Sequence, residues 1–448
     1  MREEILGQLA AEKTRIGEFF KRKGNQTVID YTREMTSYES PFNANVINDR
    51  ETVAGGIADN LEGRANPDQV MEIVDQYKKR PIIQTGDHCE LLYNPETFLN
   101  NFVYQMGMRQ VDAQYLLTQQ CSTVRMIQGR NPLRGPAFVE LEGGLYRVFD
   151  KSKKKLTRSN VATLSNVDFT FKPEGADPTA SLPSLLTDLQ GMSFHSAADA
   201  FLYANKYTWE RIHFEDKKDL ILFDESLSSD VLIHLLENSD HPLNTLLFDE
   251  RALAVFKDEI HAFVASDECL ILNDISDFFY GKHGDELIGL KLTDDFSTLV
   301  GSDSNRSFRT AYTREAIINS LKNRTLYPNL MLSMLALSIF PQSRVLGGSS
   351  QVEYIPEIQA VLRRTCIRLD LLPNDYISAI AYPQINPTLS VIARSPQLKH
   401  AIQRMDKDTD FTQWEQEIGS LTIDASMGDY GHLAYFDSYF QRRKARKG

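Results

Sequence analysis

The 448-residue chain predicts an α/β protein with a doubly wound sheet, a helical N-terminal lead-in and an inserted β-rich subdomain. Three observations carry that prediction. The apolar run "PIIQTG" is followed by a helical pattern and then by a second apolar run, "AQYLLTQQ", which makes a candidate βαβ unit with a parallel strand pair. Short apolar runs ending in Asp recur beside helical patterns at "DLILFDE" and "CLILND", as expected of strands whose ligand-facing ends carry polar groups. Between these groups, "AFVELEGGLYRVFD" places two half-apolar runs about Gly143-Gly144, a hairpin signature.

In chain order, residues 2 to 22 read as a helix with Ile5, Leu9, Ile16, Phe19 and Phe20 turned inward. A second helix starts at Asn66, a good cap, and Pro67, whose missing N–H would be unpaired at that position anyway; Val70, Ile73, Val74 and Tyr77 then give helical spacing to about Lys79. A buried strand through Ile82-Ile83 ends at Gly86. Asn94 and Pro95 repeat the cap and first-turn pattern for the next helix, and residues 113 to 120 form the following strand. The β insertion covers about 130 to 180 and includes "NVDFTFKPE", with "KSKKKLTR" (151 to 158) as a solvated loop after the hairpin or, in the alternative reading, a run that attracts a phosphorylated or acidic partner.

Alternation resumes with a strand at 219 to 225, helical patterns at 228 to 239 and 244 to 264, and a strand at 269 to 274. "REAIINSLKN" and "LYPNLMLSMLALSIF" read as helices. Arg344 to Leu346 form a strand end and Gly347 to Ser350 a loop. A helix from Glu353 then puts Ile355, Ile358 and Leu362 on one face. The expected divisions are 1–80 helical, 81–129 first part of the core, 130–180 insertion, 181–375 remainder of the core, and 376–448 mixed with a frayed basic tail.

Charge and cysteines narrow the setting. Lys+Arg 49 against Asp+Glu 61 leaves a net charge of −12, which disfavours nucleic acid as a partner because such binding must neutralise phosphates. Cys89, Cys121, Cys269 and Cys366 are scattered without a C-x-x-C pair, so neither a zinc site nor a disulfide framework is expected and the compartment is a reducing one. The N-terminus lacks the apolar run of a signal peptide. The most apolar stretch, 330 to 340, falls short of the ~20 residues that span a bilayer. The expectation is a soluble cytoplasmic protein with no membrane partner, a small-molecule substrate and an open oligomeric state.

Two turns carry candidate chemistry. In "TGDHCE", Gly86 permits the turn and His88 acts as acid or base, or binds a nucleotide. Asp87 holds a substrate ammonium or orients His88. Cys89 is either a small buried hydrophobe or, given a base partner, a nucleophile. In "RVLGGSSQVEY", Gly347, Gly348, Ser349, Ser350 and Gln351 would cradle a phosphate or carboxylate at a helix start. Glu353 serves as a second carboxylate, and Arg344, Tyr354 and, beside the first turn, Asn94 complete the binding set. The stretch matches neither a Walker loop nor G-x-G-x-x-G. No metal ligands are assigned. Lys282, His283 and Asp285 of "YGKHGDEL" read as a surface turn or mobile substrate loop. Arg306, Arg309 and Arg314 read as exposed arginines or as a clamp for an anion.

The windows "IIQTGDHCELLYNPETFLNNFVYQ" and "LYPNLMLSMLALSIFPQSRVLGGSSQVEYIPEIQAVL" resemble the bacillithiol biosynthesis cysteine-adding enzyme family, a ligase family in which an apolar strand enters a glycine-containing polar turn and a late helix leads to a glycine loop. Gly347, Gly348, Glu353 and Tyr354 match its glycines, acid and tyrosine, the last two at different spacing. Asp87 and His88 replace its paired glutamines. The resemblance implies a Rossmann-like core with an inserted domain, a nucleotide site, and addition of an amino acid to an amine. The expected function is therefore a biosynthetic ligase or transferase joining an amino acid or acyl group to a small-molecule amine. ATP or ADP is the expected nucleotide, with the magnesium requirement open. The alternatives are a non-catalytic metabolite-binding or scaffold protein on the same fold, and a hydrolase or nucleotide-binding regulator. Either way, the two glycine turns, roughly 260 positions apart, are expected to meet where an α/β sheet gathers its ligand loops.

Overall fold

A computed structural model of the chain describes residues 14–37, 43–130, 133–175, 181–272, 276–301, 308–380, 389 and 392–427. Helices α1 (Arg15–Lys23) and α2 (Val28–Thr36) begin at Thr14 and Thr27, whose hydroxyls accept first-turn N–H groups. Of the expected inward residues, Ile16, Phe19 and Phe20 are buried, while Ile5 and Leu9 lie outside the described residues. Helices α3 (Ala44–Leu61) and α4 (Pro67–Lys79) lead to strand β1 (Ile82–Gln84). Helix α5 (Pro95–Met108) then leads to β2 (Tyr115–Gln119). After the first insertion come α6 (Ala197–Arg211), β3 (Asp219–Phe223), α7 (Glu225–Glu237) and α8 (Glu250–Val264). After the second come β4 (Arg344–Leu346) and α9 (Ser349–Leu369).

The central sheet is parallel, in the order β4-β1-β2-β3, with Ile82 opposite Arg344, Gln84 opposite Leu346 and Thr118, and Tyr115 opposite Asp219. Its strands are apolar along both faces, as a parallel sheet covered on both sides requires. Ile82, Leu116, Leu220 and Leu346 pack into one core with Phe98 and Phe102 of α5. Ile83, Leu117, Ile221 and Val345 pack into the other with residues of α3, α7 and α9. The α/β class expected from the sequence is thus the observed one. Because the chain runs β1, β2, β3 in one direction and returns to place β4 on the other side of β1, the strand order reverses between β1 and β4. A crevice opens at such a switch point.

Two antiparallel sheets are added. In the first, Phe138–Leu141 and Gly144–Phe149 form the expected hairpin, which Ser165–Pro173 and Ser193–Ser196 extend. "KSKKKLTR" is not a loop: Lys153–Arg158 is a short helix capped by Ser152, with Leu156 buried beneath it. The second sheet was not expected. It orders Arg309–Ala311, Thr298–Gly301, Glu286–Leu292, Phe279–His283 and Leu326–Pro328, so "YGKHGDEL" is a hairpin tip with His283 paired to Glu286 and Gly284 at φ +62°. "LYPNLMLSMLALSIF" accordingly starts as a strand; its helix begins at Leu330 after the Asn329 cap and passes into a π-helical turn at Leu335–Ile339. "CLILND" is not a strand in its described part. The N–H groups of Leu270, Ile271 and Leu272 all donate to the Glu357 carboxylate of α9, which satisfies the donors a neighbouring strand would otherwise take. Among the described residues no helix is long and apolar enough to cross a membrane.

Candidate functional site

The two glycine turns touch. A Cβ on Gly86 would lie 2.8 Å from Gly347 Cα and 3.0 Å from Gly348 N, so the backbone after β1 reaches the backbone after β4 only because residue 86 has no side chain. Thr85 N–H donates to Leu346 O at 2.7 Å and continues the β1–β4 pairing to the turn. Beside this contact a cleft of about 300 Å³, open to solvent, lies at the carboxyl ends of the strands. Its walls take Gly86, Asp87 and His88 from one side, Cys121 and Glu225 from another, and Tyr280 from the second antiparallel sheet.

Pairing of β1 with β2 also runs past the strand ends. Cys121 N–H donates to Asp87 O at 2.7 Å and Cys89 N–H to Cys121 O at 2.9 Å, which sets His88 and Cys121 side by side in a parallel bridge. The imidazole is exposed at the cleft mouth, and its Nδ1 lies 3.2 Å from the Gln128 amide nitrogen. An amide nitrogen only donates, so Nδ1 accepts and the neutral ring carries its proton on Nε2. The protein packed around the ring lowers its pKa, opposed by the Glu96 charge. Lowered from the ordinary histidine value, it leaves the ring neutral at pH 7.

Asp87 does not orient His88. Its buried carboxylate accepts from Asn100 Nδ2 at 2.8 Å and Asn101 Nδ2 at 2.6 Å, both on α5. Burial pushes its pKa up to about 7, against the opposing pull of those two amides and of Gln84 and Gln120. Glu90, also buried, is pushed to about 8 by desolvation and by the charges of Glu96 and Asp87, with only partial relief from the Thr97 hydroxyl at 3.2 Å. Glu225, the first residue of α7, accepts from the Ser122 N–H, from Ser122 Oγ at 2.9 Å and from Thr123 Oγ1 at 3.3 Å. Burial raises its pKa, and Asp224 adds to the rise. Burial, followed by the Glu225 charge, pushes the Cys121 thiol well up, so it stays protonated at neutral pH. Cys89 is fully buried and faces the core as a small hydrophobe.

Helix α9 starts in the cleft. Gly348 caps it without a side-chain hydrogen bond, and the Gln351 N–H turns back to the Gly348 carbonyl at 3.0 Å, so what the helix start presents to the cleft is its partial positive charge. Gln351 Nε2 donates to Thr85 Oγ1 at 2.6 Å, while its buried Oε1 has no hydrogen-bond partner. Gly86, Asp87, His88, Gly348, Ser350, Gln351 and Tyr354 therefore converge as the sequence suggested. Gly347 lies behind them, with its carbonyl taken by Leu389 N–H, and the Ser349 side chain is outside the described ones.

Glu353 faces away. Its carboxylate accepts from Ile16 N–H at 3.1 Å and Arg15 at 3.4 Å, tying α1 to α9, so it is not a second carboxylate of the cleft. The Arg344 guanidinium donates to the Glu34 and Met35 carbonyls from the opposite end of β4. Asn94 spends its side chain capping α5 at Glu96 N–H. Neither lines the cleft. Arg309 is exposed on a strand, Arg314 lies beside Glu315, and Arg306 is outside the described residues.

Sequence reasoning missed Cys121, Glu225 and Tyr280. The signal for the first two was their position just beyond a parallel strand's carboxyl end. For ATP the fit fails: among the described lining residues there is no lysine or arginine to meet a polyphosphate, and two carboxyl groups are present. No cluster of three metal-ligating side chains occurs among the described residues. No family model matches the chain, and no curated protein is significantly similar to it.

Proposed function

We propose that the protein is a biosynthetic transferase that moves an amino-acid or acyl group onto an amine held in the switch-point cleft. The observation that carries this reading is the pairing of a neutral imidazole, His88, with a buried carboxylate, Glu225, in one cleft whose described walls hold no cation. An amine arrives as ammonium and is held by Glu225. It gives one proton to the Glu225 carboxylate, becomes nucleophilic and attacks the acyl carbon. A C–N bond forms, the bond to the leaving group breaks, and the amine's remaining surplus proton passes to His88 Nδ1 as the Gln128 amide turns away from it, and from the ring to the departing oxygen or sulfur. The N–H groups opening α9 offer partial positive charge to the oxygen on which negative charge develops. Because the lining does not suit a polyphosphate, the acyl donor in this reading arrives already activated, as an ester or thioester. The resemblance of both glycine windows to a family that acylates an amine supports the same chemistry.

The test is a thermal-shift and mass-spectrometric screen of primary amines and amino-acid esters, with ATP and magnesium as a separate arm. Amines should raise the melting temperature of the wild type, and Glu225→Gln should lose that rise. Amide product should form only with the activated donor. Amine binding without product would return the protein to a non-catalytic metabolite binder. A shift with ATP alone, or none with any amine, would overturn the proposal.

A further inference from the structure

A second cavity of about 150 Å³ adjoins the cleft, and Tyr280 and Leu330 line both. It lies between α8, the strand Phe279–His283 and the helix start at Leu330. Its apolar wall consists of Ile260, Ile271, Leu272, Phe278, Leu330 and Met331.

Of the polar groups at its edge, Lys257 with Asp277 and Asn329 with Ser276 are engaged with one another, and the exposed His261 of α8 also lines it. Lys257 Nζ lies 2.8 Å from Asp277 Oδ2, which also accepts from Leu292 N–H at 3.0 Å. Asn329 donates to Ser276 Oγ at 3.3 Å while its oxygen accepts from Leu332 N–H at 3.1 Å. A polar ligand group entering this space would surrender water and find few partners, whereas an apolar group gains from burial. Leu330, an exposed large hydrophobe at 41 % accessibility, stands at the junction, where an isolated apolar side chain would be covered by a ligand spanning both spaces.

Resting on the transfer reading above, we infer that this annex is the specificity pocket of the acyl donor, and that the transferred group carries a large apolar side chain, aromatic or branched aliphatic. The polar reacting end lies among His88, Glu225 and the start of α9, while the side chain passes Tyr280 into the annex. Lysyl donors are rejected because the one acid among the annex's described lining residues, Asp277, is already held by Lys257 and Lys291. Aspartyl donors are rejected because Lys257 is held in turn by Asp277 and a carboxylate entering the apolar space loses its water.

The experiment uses the full chain and methyl esters of alanine, leucine, phenylalanine, aspartate and lysine, with affinity read by calorimetry. Affinity should rise from alanine to leucine by about fourfold per added methylene and remain high for phenylalanine. Met331→Trp, which fills the annex, should collapse the phenylalanine-to-alanine ratio toward one. Met331→Ala, which enlarges it, should move the preference toward the bulkier ester, and melting curves of both variants establish that they are folded. Esters that bind the wild type with no dependence on side-chain size, or a ratio unmoved by Met331→Trp, would overturn the annex while leaving the transfer reading intact. No ester binding at all would remove both.

Discussion

The two nitrogens of His88 have different surroundings: Nδ1 is met by the Gln128 amide, and the ring edge stands open at the cleft mouth. A ring so placed contributes little to stability, since its one side-chain hydrogen bond is solvent-accessible and is worth about 0.5–1.5 kcal/mol at most. Its contribution to rate in the proposed reaction is far larger. His88→Ala should lower amide formation by about 10²- to 10⁴-fold with a nearly unchanged melting temperature. The depressed pKa has a sign as well: activity should rise with pH through a value below the ordinary histidine range and then level off, once the ring is free to accept a proton. Unchanged turnover in folded His88→Ala protein would take the imidazole out of the mechanism. Glu353 shows the limit of motif reading at this scale. In "QVEY" the acid and the tyrosine are adjacent, and one helical step turns the tyrosine to the cleft and the acid to α1.

Among the elements, α3 and α7 make a close crossing that depends on one glycine of a pair. A Cβ on Gly56 would lie 2.6 Å from Val231 Cγ2 and 3.1 Å from Val231 N, whereas a Cβ on Gly55 would meet only His234 Nε2, at 3.8 Å. Gly55→Ala should therefore stabilise the protein by about 0.5–1 kcal/mol through helix propensity. Gly56→Ala should destabilise it by about 1–3 kcal/mol through overpacking. Denaturant midpoints that move in the same direction for both would contradict the crossing. The helices around the central sheet were legible because their signals are local, as Asn66-Pro67 and Asn94-Pro95 show. The second antiparallel sheet was not: Phe279–His283 alternates only partly before its charged tip, and its partner Leu326–Pro328 holds three residues and ends in proline. "CLILND" failed for another reason. What satisfies its backbone is Glu357, far along the chain and invisible to any local pattern. The site divides in the same way, since both glycine turns announce themselves while Cys121 and Glu225 acquire meaning only from strand register.

At the scale of the whole molecule, the buried acids beneath the cleft set how stability responds to pH. Glu90 is held at about 8 when folded, against about 4.3 in an unfolded chain. Between those values the folded state keeps a proton that the unfolded state has released, so stability falls as pH rises through that window and is flat above it. Asp87 acts with the same sign up to about 7. Glu90→Gln keeps the shape and removes the titration. The loss of stability between pH 5 and 8.5 should shrink by on the order of a few kcal/mol in the variant, read from denaturant unfolding at both pH values. Equal losses in variant and wild type would show that Glu90 titrates normally.

The switch-point arrangement that builds the cleft also sets a schedule for making the protein. Strand β1 ends at Gln84 and its neighbour β4 at Leu346, so one edge of β1 waits for roughly 260 further residues. At ribosomal speeds of about 5–20 residues per second, that is roughly 13 to 52 s. Glu353, to which α1 is tied, emerges later still. The nascent chain thus carries Ile82 and Ile83 on an unfinished edge while those residues are added, and the segment about β4 closes what the segment about β1 began.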